Sequence, residues 1–160
     1  MQDDANAALC VIVDPLCNAL LIKRVENKND PWSGQIAFPG GHRKVEESLL
    51  ECSLREAYEE VGIRPEGKPE FELGIVAPGN RPEVHVKPFV FRVGSKPDVR
   101  INPNEVKEAR WVNLLSLKKA KQFVEGATRE VYLVDNWVIW GLTMRVIDDL
   151  LRACRKLDSS

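Results

Sequence analysis

The stretch from Gly41 to Ile63, GHRKVEESLLECSLREAYEEVGI, constrains the fold more than any other part of the chain. Ser48 with Glu51 three residues later is the pattern of a capping box, which predicts that a helix begins at about Ser48. Gly62 can adopt the left-handed backbone conformation that ends a helix. We therefore expect one helix between these two positions.

This helix has two different faces. Its apolar residues recur at helical spacing and predict a buried stripe. They are Leu50, Leu54, Ala57 and Val61. Glu56, Glu59 and Glu60 stand at i, i+3 and i+4, so they share the opposite face. Like charges at this spacing cost about a few tenths of a kcal/mol per pair, and a bound cation would remove that cost.

The three glutamates predict a metal site, because carboxylate oxygens suit Mg²⁺, which usually takes its other ligands from water and substrate phosphate. Arg55 precedes the first of them and can pair with a carboxylate to fix its rotamer. Gly40 and Gly41 let the backbone approach a ligand closely, and we expect the Gly40 carbonyl to add a metal ligand.

Length and composition fit one globular domain over residues 1–160. The net charge of −1 indicates no general attraction to nucleic acid or membranes. No apolar run reaches the length of a membrane span, and the first residues, MQDDANA, lack the pattern of a signal peptide. We therefore expect a cytoplasmic protein.

The four cysteines show no CxxC spacing, so a zinc site is not expected. Cys10 and Cys17 flank a predicted turn at Asp14-Pro15 and would face each other across a hairpin. A disulfide between them stays open as an alternative, although such bonds are rare in the cytosol.

The remaining pattern predicts strands interspersed with helices. Strands are expected at 7–13, 19–24, 71–77, 84–93, 108–114 and 130–134, with a short extended segment at 35–41. Helices are expected in the glutamate-rich stretch, at 115–124 and at 140–156. This order favours an α/β fold, an α/β/α sandwich around a mixed β-sheet.

The glycine, glutamates and arginine of the first stretch, at this spacing, resemble the signature box of the Nudix hydrolases. That family cleaves pyrophosphate linkages in nucleoside diphosphates joined to another group. The resemblance implies the same sandwich architecture, Mg²⁺ or Mn²⁺ as cofactor, a small-molecule nucleotide substrate and a possible homodimer. It also leaves open a non-catalytic nucleotide-binding regulator, although such regulators usually lose carboxylates that this chain retains.

The resemblance implies roles for individual residues. Arg55, Glu56, Glu59 and Glu60 are expected to be catalytic, and the three glutamates to hold the metal together with Gly40. The general base is either Glu59 or a glutamate outside the box, Glu105 or Glu108. Glu47 is expected to be structural, since it precedes the helix cap.

Three segments resemble the coenzyme A pyrophosphatases of this family. They are LLIKR at 20–24, GQIAFPGGHR at 34–43 and WGLTMRVIDDLL at 140–151. Ile22 stands where that branch has threonine, and the loop lacks an expected arginine. This resemblance implies coenzyme A as substrate, with phosphopantetheine and 3′,5′-ADP as products.

Such a substrate carries a pyrophosphate and a 3′-phosphate, so basic residues should line the cleft. Arg24 is the first choice, and the other available cations are Lys23, His42, Arg43 and Arg81. Trp32 or Phe38 could stack on adenine, and the alternative for each is packing in the core or in a loop. Close backbone approach is assigned to Gly40 and Gly41. The alternative substrate is ADP-ribose, because Pro78 stands fifteen residues past the box, as in that branch of the family.

Overall fold

The computed structural model describes residues 5–27, 34–79 and 83–158, with side chains described up to residue 154. Within these ranges the chain forms ten strands and two α-helices. The strands are β1 (Ala7–Val13), β2 (Asn18–Arg24), β3 (Ile36–Ala37), β4 (Gly40–His42), β5 (Phe71–Glu72), β6 (Val86–Arg92), β7 (Val106–Asn113), β8 (Lys118–Val124), β9 (Ala127–Val134) and β10 (Trp137–Ile139). The helices are α1 (Leu49–Val61) and α2 (Gly141–Asp158).

Seven of the strands form one mixed sheet. Its main path runs β3-β2-β1-β6-β5, while β4 pairs with β1 and β7 pairs with β2. The β1–β6 pair is parallel, from Ala7 opposite Val86 to Val13 opposite Arg92. The other pairs in this sheet are antiparallel. The predicted mixed sheet is therefore confirmed.

The two helices cover opposite faces of this sheet. Successive side chains of a strand point to opposite faces, and the side chains of β1 accordingly divide between two core clusters. Ala8, Cys10 and Ile12 of β1 pack in a cluster with Cys52, Ala57 and Val61 of α1. Val11 and Val13 pack in the other cluster, with Val146, Ile147 and Leu150 of α2. The second sheet, in the order β10-β9-β8, adds Trp137 and Ile139 to that cluster. The α/β/α sandwich is confirmed.

Helix α1 begins and ends where the sequence predicts. The Ser48 hydroxyl accepts from the Glu51 backbone N–H at 3.0 Å, and the Glu51 carboxylate accepts from the Ser48 N–H at 3.1 Å. Gly62 has φ +72°, and its N–H donates to the Tyr58 carbonyl at 3.0 Å. At each end of the helix, local hydrogen bonds thus supply partners for backbone groups that the helix itself leaves unpaired.

The predicted helix at 115–124 is wrong. Only Leu114–Ser116 forms a short 3₁₀ turn, and the rest is strand β8, which pairs with β9 from Lys118–Leu133 to Val124–Ala127. Lysine and alanine favour helices, but pairing with a neighbouring strand overrides so weak a preference. Strand β10 was not predicted, and the strand expected at 71–77 is reduced to Phe71–Glu72 with an isolated bridge at Val76.

The structure has no disulfide between Cys10 and Cys17. Val13 pairs with Ala19, so Cys17 lies in the connecting turn instead of opposite Cys10. Burial raises the pKa of Cys10 well above its ordinary value, which makes this thiol unreactive. Among the described residues, no helix is long and apolar enough to cross a membrane.

Candidate active site

Glu60 in the last turn of α1 is buried against the sheet, with 1% of its surface exposed. Its Oε1 accepts from the Gly40 backbone N–H at 3.1 Å, and its Oε2 accepts from Arg24 at 3.4 Å. Burial raises the pKa of Glu60 to about 9; Arg24 acts against this rise, and Glu56 adds to it. The expectation that all three box glutamates face away from the buried stripe is therefore wrong for Glu60.

The buried face of α1 is rotated relative to the predicted stripe. Ala57 and Val61 are fully buried as expected, whereas Leu50 and Leu54 are only partly buried. The core positions of the helix also include Leu49, Cys52, Ser53 and Glu60. This rotation carries one glutamate into the protein, where its charge needs a partner.

Three carboxylates meet beside Glu60. One oxygen each from Glu56, Glu60 and Glu105 lies within 4.8 Å of the other two. Glu105 precedes β7, and its buried Oε2 has no hydrogen-bond partner among the described residues. Carboxylate oxygens are suitable ligands for a divalent cation, and a bound cation would give the buried Glu105 oxygen a partner. These residues therefore fit the Mg²⁺ or Mn²⁺ that the sequence predicts.

Glu59 lies outside this cluster. Its side chain is 41% exposed, and it accepts from Nη1 of Arg55 at 3.1 Å. Glu105, expected only as a base candidate, takes the third position in the cluster. Direct metal binding by Glu59 thus stays a prediction that the arrangement of the side chains does not favour.

Arg55 organises the carboxylates around it. Its Nε donates to Glu47 at 2.6 Å and its Nη2 to the other oxygen of the same carboxylate at 3.0 Å, so the pair is bidentate. Nη1 donates to Glu56 at 2.9 Å. These hydrogen bonds lower the pKa of Glu47 to about 2. The arrangement agrees with the expected structural role of Glu47 and the expected rotamer-fixing role of Arg55.

The two glycines are needed for different reasons. A Cβ at Gly40 would lie 2.3 Å from the Ala8 carbonyl oxygen, so the tight pairing of β4 with β1 requires glycine there. A Cβ at Gly41 would lie 2.7 Å from the carboxyl carbon of Glu56. Close backbone approach is therefore present, but to a protein carboxylate. The contact made by Gly40 uses its N–H, and its carbonyl as a metal ligand stays a prediction.

The base candidate Glu108 is on the wrong face of the sheet. Ala109 of the same strand packs with α1, whereas Val112 packs with α2, so the even-numbered positions of β7 from 108 onward face α2. The Glu108 carboxylate accepts from Arg110, which also lies over the Trp137 ring at 4.2 Å. Of the two glutamates proposed outside the box, the structure brings only Glu105 to the cluster.

The predicted substrate residues are placed differently from one another. Arg24 lies at the site, but it is paired with Glu60. Phe38 is 1% exposed and belongs to the core, so its ring has no open face for stacking on adenine. The predictions for Arg81 and Trp32 lie outside the described residues.

A cavity lies beside the carboxylates, since its lining includes Gly40 and Arg24, which donate to Glu60. It is lined by Ala7, Leu9, Arg24, Ala37, Phe38, Gly40, Gly41, Val86, Leu142 and Thr143. Sequence reasoning assigned no role to Thr143, whose hydroxyl donates to the Ile36 carbonyl at 2.8 Å. The resemblance of its segment to a family motif was the only signal that could have pointed to it.

The fold and the site together define an α/β sandwich with a cluster of carboxylates beside one helix. Comparison with known families identifies the class further. The family model described as NUDIX domain matches residues 4–132, and the chain therefore belongs to the Nudix family. The class is that of the pyrophosphohydrolases acting on nucleoside diphosphate derivatives.

Individual relatives agree with this assignment. The uncharacterised Nudix hydrolase NudL of Yersinia pestis is 34% identical over 158 aligned residues, which take in 91% of this chain and 78% of that protein. An uncharacterised Schizosaccharomyces pombe protein is 31% identical over 116 residues and 68% of this chain, and the match spans only 35% of its length. The crystal structure of a MutT/nudix family protein from Enterococcus faecalis superimposes with a TM-score of 0.63 at 19% identity, covering 97% of this chain and 64% of that one, which shows the common fold.

Proposed function

We propose that this protein hydrolyses the pyrophosphate of coenzyme A or its acyl derivatives, giving phosphopantetheine and 3′,5′-ADP, with Mg²⁺ or Mn²⁺ as cofactor. The observation that carries the proposal is the convergence of three separated segments on one cavity. These segments, which resemble coenzyme A pyrophosphatases, contribute Arg24, then Gly40 and Gly41, then Leu142 and Thr143.

The apolar lining of the cavity favours an aliphatic group of the substrate next to the pyrophosphate. Its wall is formed largely by the apolar side chains of Leu9, Val86 and Leu142. Its polar side chains already have protein partners, because Arg24 donates to Glu60 and Thr143 donates to a backbone carbonyl. The apolar side chains would pack against the two methyl groups of the pantetheine arm, and they offer no hydrogen-bond partner to a ribose.

The residues of the cluster have separate tasks in this proposal. Glu56, Glu60 and Glu105 would hold the cation, which when bound supplies charge neutralisation at the pyrophosphate and a more acidic water. A water oxygen forms the new bond to phosphorus, the bridging P–O bond breaks, and a carboxylate accepts the water proton. Glu105 is favoured as that base, with one of its carboxylate oxygens on the cation and the other accepting the proton.

Arg55 acts on the carboxylates in this scheme. It holds Glu56 at 2.9 Å and is itself held by the bidentate contact with Glu47. Arg24 shields the buried charge of Glu60 at 3.4 Å. Both arginines therefore orient carboxylates, and Arg24 has the further possibility of contacting a substrate phosphate.

A matched set of substrates tests the proposal. With Mg²⁺ or Mn²⁺, coenzyme A should be hydrolysed with a kcat/KM roughly ten- to a hundredfold above that of dephospho-coenzyme A, because a charged hydrogen bond to the 3′-phosphate is lost in the latter. ADP-ribose, the alternative substrate, should be poorer still, and mass spectrometry of the products identifies the bond cleaved. Equal rates on the first two compounds, or a preference for ADP-ribose, would refute the coenzyme A assignment.

Arg24→Ala separates two explanations for the cationic contact. If Arg24 reads the 3′-phosphate, the variant loses the difference between coenzyme A and dephospho-coenzyme A. If Arg24 serves Glu60 alone, hydrolysis of both compounds falls by the same factor. Arg64→Ala is the control, because this exposed arginine lies in the loop after α1 and does not line the cavity.

A further inference from the structure

Thr143 is a buried polar residue outside the carboxylate cluster. It lies in the first turn of α2 with 6% of its surface exposed. Its hydroxyl donates to the Ile36 carbonyl at 2.8 Å, across 107 positions of the chain. The bond therefore ties the start of α2 to β3.

Strand β3 depends on such a tie because it is very short. Its two residues pair with β2, Ile36 opposite Lys23 and Ala37 opposite Ile22. With so few ladder bonds, one buried side-chain hydrogen bond makes up a large share of what holds the strand in place.

The segment around β3 is connected to Gly40 and to Arg24, which both donate to Glu60. After the strand, the Pro39 carbonyl accepts from the Cys10 N–H at 2.8 Å, and the next residue, Gly40, donates to Glu60. Before the strand, the Gln35 carbonyl accepts from the Arg24 N–H at 3.0 Å. Gly40 and Arg24, which donate to the Glu60 carboxylate, are thus both connected to the segment that Thr143 holds.

We propose that Thr143 is a positioning residue for the active site. Its bond to Ile36 keeps β3 where Gly40 and Arg24 donate to Glu60, and so keeps that carboxylate in the geometry in which it binds a cation. The proposal rests on the proposed function only in taking Glu60 as part of a divalent-cation site; it is independent of the substrate.

Two substitutions at this position test the role. Thr143→Val removes the hydroxyl and keeps the shape, whereas Thr143→Ser keeps the hydroxyl. In the full chain, Thr143→Val should weaken Mn²⁺ binding roughly five- to tenfold, the equivalent of one net hydrogen bond, and speed amide hydrogen exchange in residues 35–42. On an active substrate kcat should fall more than KM rises. Thr143→Ser should stay within about twofold of the wild type in each measurement.

Tyr132→Phe is the matched control. The Tyr132 hydroxyl donates to Asp148 at 2.5 Å, so the variant also removes a hydrogen bond between α2 and a strand, but that strand is β9 and not β3. If Thr143→Val and Tyr132→Phe change Mn²⁺ affinity and the exchange of residues 35–42 alike, the positioning role is overturned. It is equally overturned if exchange speeds up while Mn²⁺ affinity is unchanged.

Glu60→Gln separates failure of this inference from failure of the proposed function. If that variant binds Mn²⁺ as tightly as the wild type, the cation site is assigned wrongly. In that case the rate of amide hydrogen exchange is the test of the role of Thr143. An unchanged exchange rate of residues 35–42 in Thr143→Val would overturn that role.

Discussion

At the scale of single residues, Glu60 and Glu59 show how much one helical position changes a carboxylate. Glu60 is 1% exposed and accepts from Gly40 and Arg24, while Glu59 next to it is 41% exposed and contacts Arg55. Burial raises the pKa of the first to about 9. Two adjacent, chemically identical side chains are therefore expected to contribute unequally to the reaction.

Substitution of the cluster glutamates tests this difference. Glu56→Gln and Glu60→Gln should each lower kcat by roughly a hundredfold or more, because changing even a partner of a metal ligand costs ten- to a hundredfold. Glu59→Gln should cost less than about tenfold. Circular dichroism checks the fold, and Mn²⁺ titration with steady-state kinetics measures the effect. A larger loss in Glu59→Gln than in Glu60→Gln would contradict the assigned cluster.

Arg55 depends on the shape of its guanidinium as well as on its charge. Its Nε and Nη2 donate to both oxygens of Glu47, while Nη1 holds Glu56. Arg55→Ala should lower kcat/KM by roughly ten- to a hundredfold. Arg55→Lys should restore only part of the loss, since lysine lacks the planar fork. Complete restoration by lysine, measured under the same metal concentration, would mean that charge alone is required.

At the scale of elements, substitutions at the two glycines of β4 should separate an effect on the stability of the fold from an effect on metal binding and activity. Gly40→Ala should destabilise the protein by several kcal/mol, because the added Cβ meets the Ala8 carbonyl of the paired strand at 2.3 Å. In Gly41→Ala the nearest atoms to the added Cβ belong to the end of the Glu56 side chain, at 2.7 Å, and this flexible end can move. We expect this variant to fold and to lose Mn²⁺ affinity and activity.

Thermal unfolding together with Mn²⁺ titration distinguishes the two variants. The reverse pattern, with Gly41→Ala unfolding and Gly40→Ala stable but inactive, would show that the contacts of β4 are assigned wrongly. Gly67→Ala is not a suitable control, because its φ of +76° strains any side chain. Gly74→Ala is suitable, since its backbone has an ordinary φ and a Cβ there meets no neighbour among the described residues within 4 Å.

The elements that could be predicted are those with strong local patterns. Helix α1 has a capping box and a left-handed glycine, and β1 and β2 are apolar runs bounded by turns. The segment 118–124 could not be read correctly, because its stabilising partner, β9, is supplied by tertiary pairing. For the same reason the sequence could not show that Glu105 lies beside Glu56 and Glu60, since only the folded sheet brings these three side chains together.

The burial of Glu60 also lay beyond the sequence pattern. Counting positions on a helical wheel places Glu60 with Glu56 and Glu59, but it does not show how the helix is rotated on the sheet. That rotation follows from the packing of Cys52 and Val61 against β1 and its neighbours. The identity of the box residues was therefore predictable, whereas the exposure of each one was not.

At the scale of the whole molecule, the Glu47–Arg55 pair predicts how stability depends on pH. The folded pKa of Glu47 is lowered from 4.5 to about 2, so the pair stabilises the fold fully above about pH 4.5 and loses this effect as pH falls toward 2. Glu47→Gln should cost about 1–3 kcal/mol at pH 6. The difference from the wild type should shrink below pH 4.5.

Urea unfolding at pH 6, 4 and 3 measures this dependence. The control is Glu66→Gln, at an exposed carboxylate of the loop after α1, and it should leave stability nearly unchanged across the series. A difference between Glu47→Gln and the wild type that stays constant with pH would show that the carboxylate charge does not contribute through Arg55.

Strand β8 has a consequence for encounters between copies of the chain. It is the outer strand of the three-stranded sheet, paired with β9 and with no other strand of the described chain. An outer strand offers unpaired backbone groups to any second strand, which is a common route to aggregation. Lys118, Lys119 and Lys121 are exposed along it, so two such edges repel each other. The lysines that favoured a helix by composition thus keep the sheet from growing from one molecule into the next.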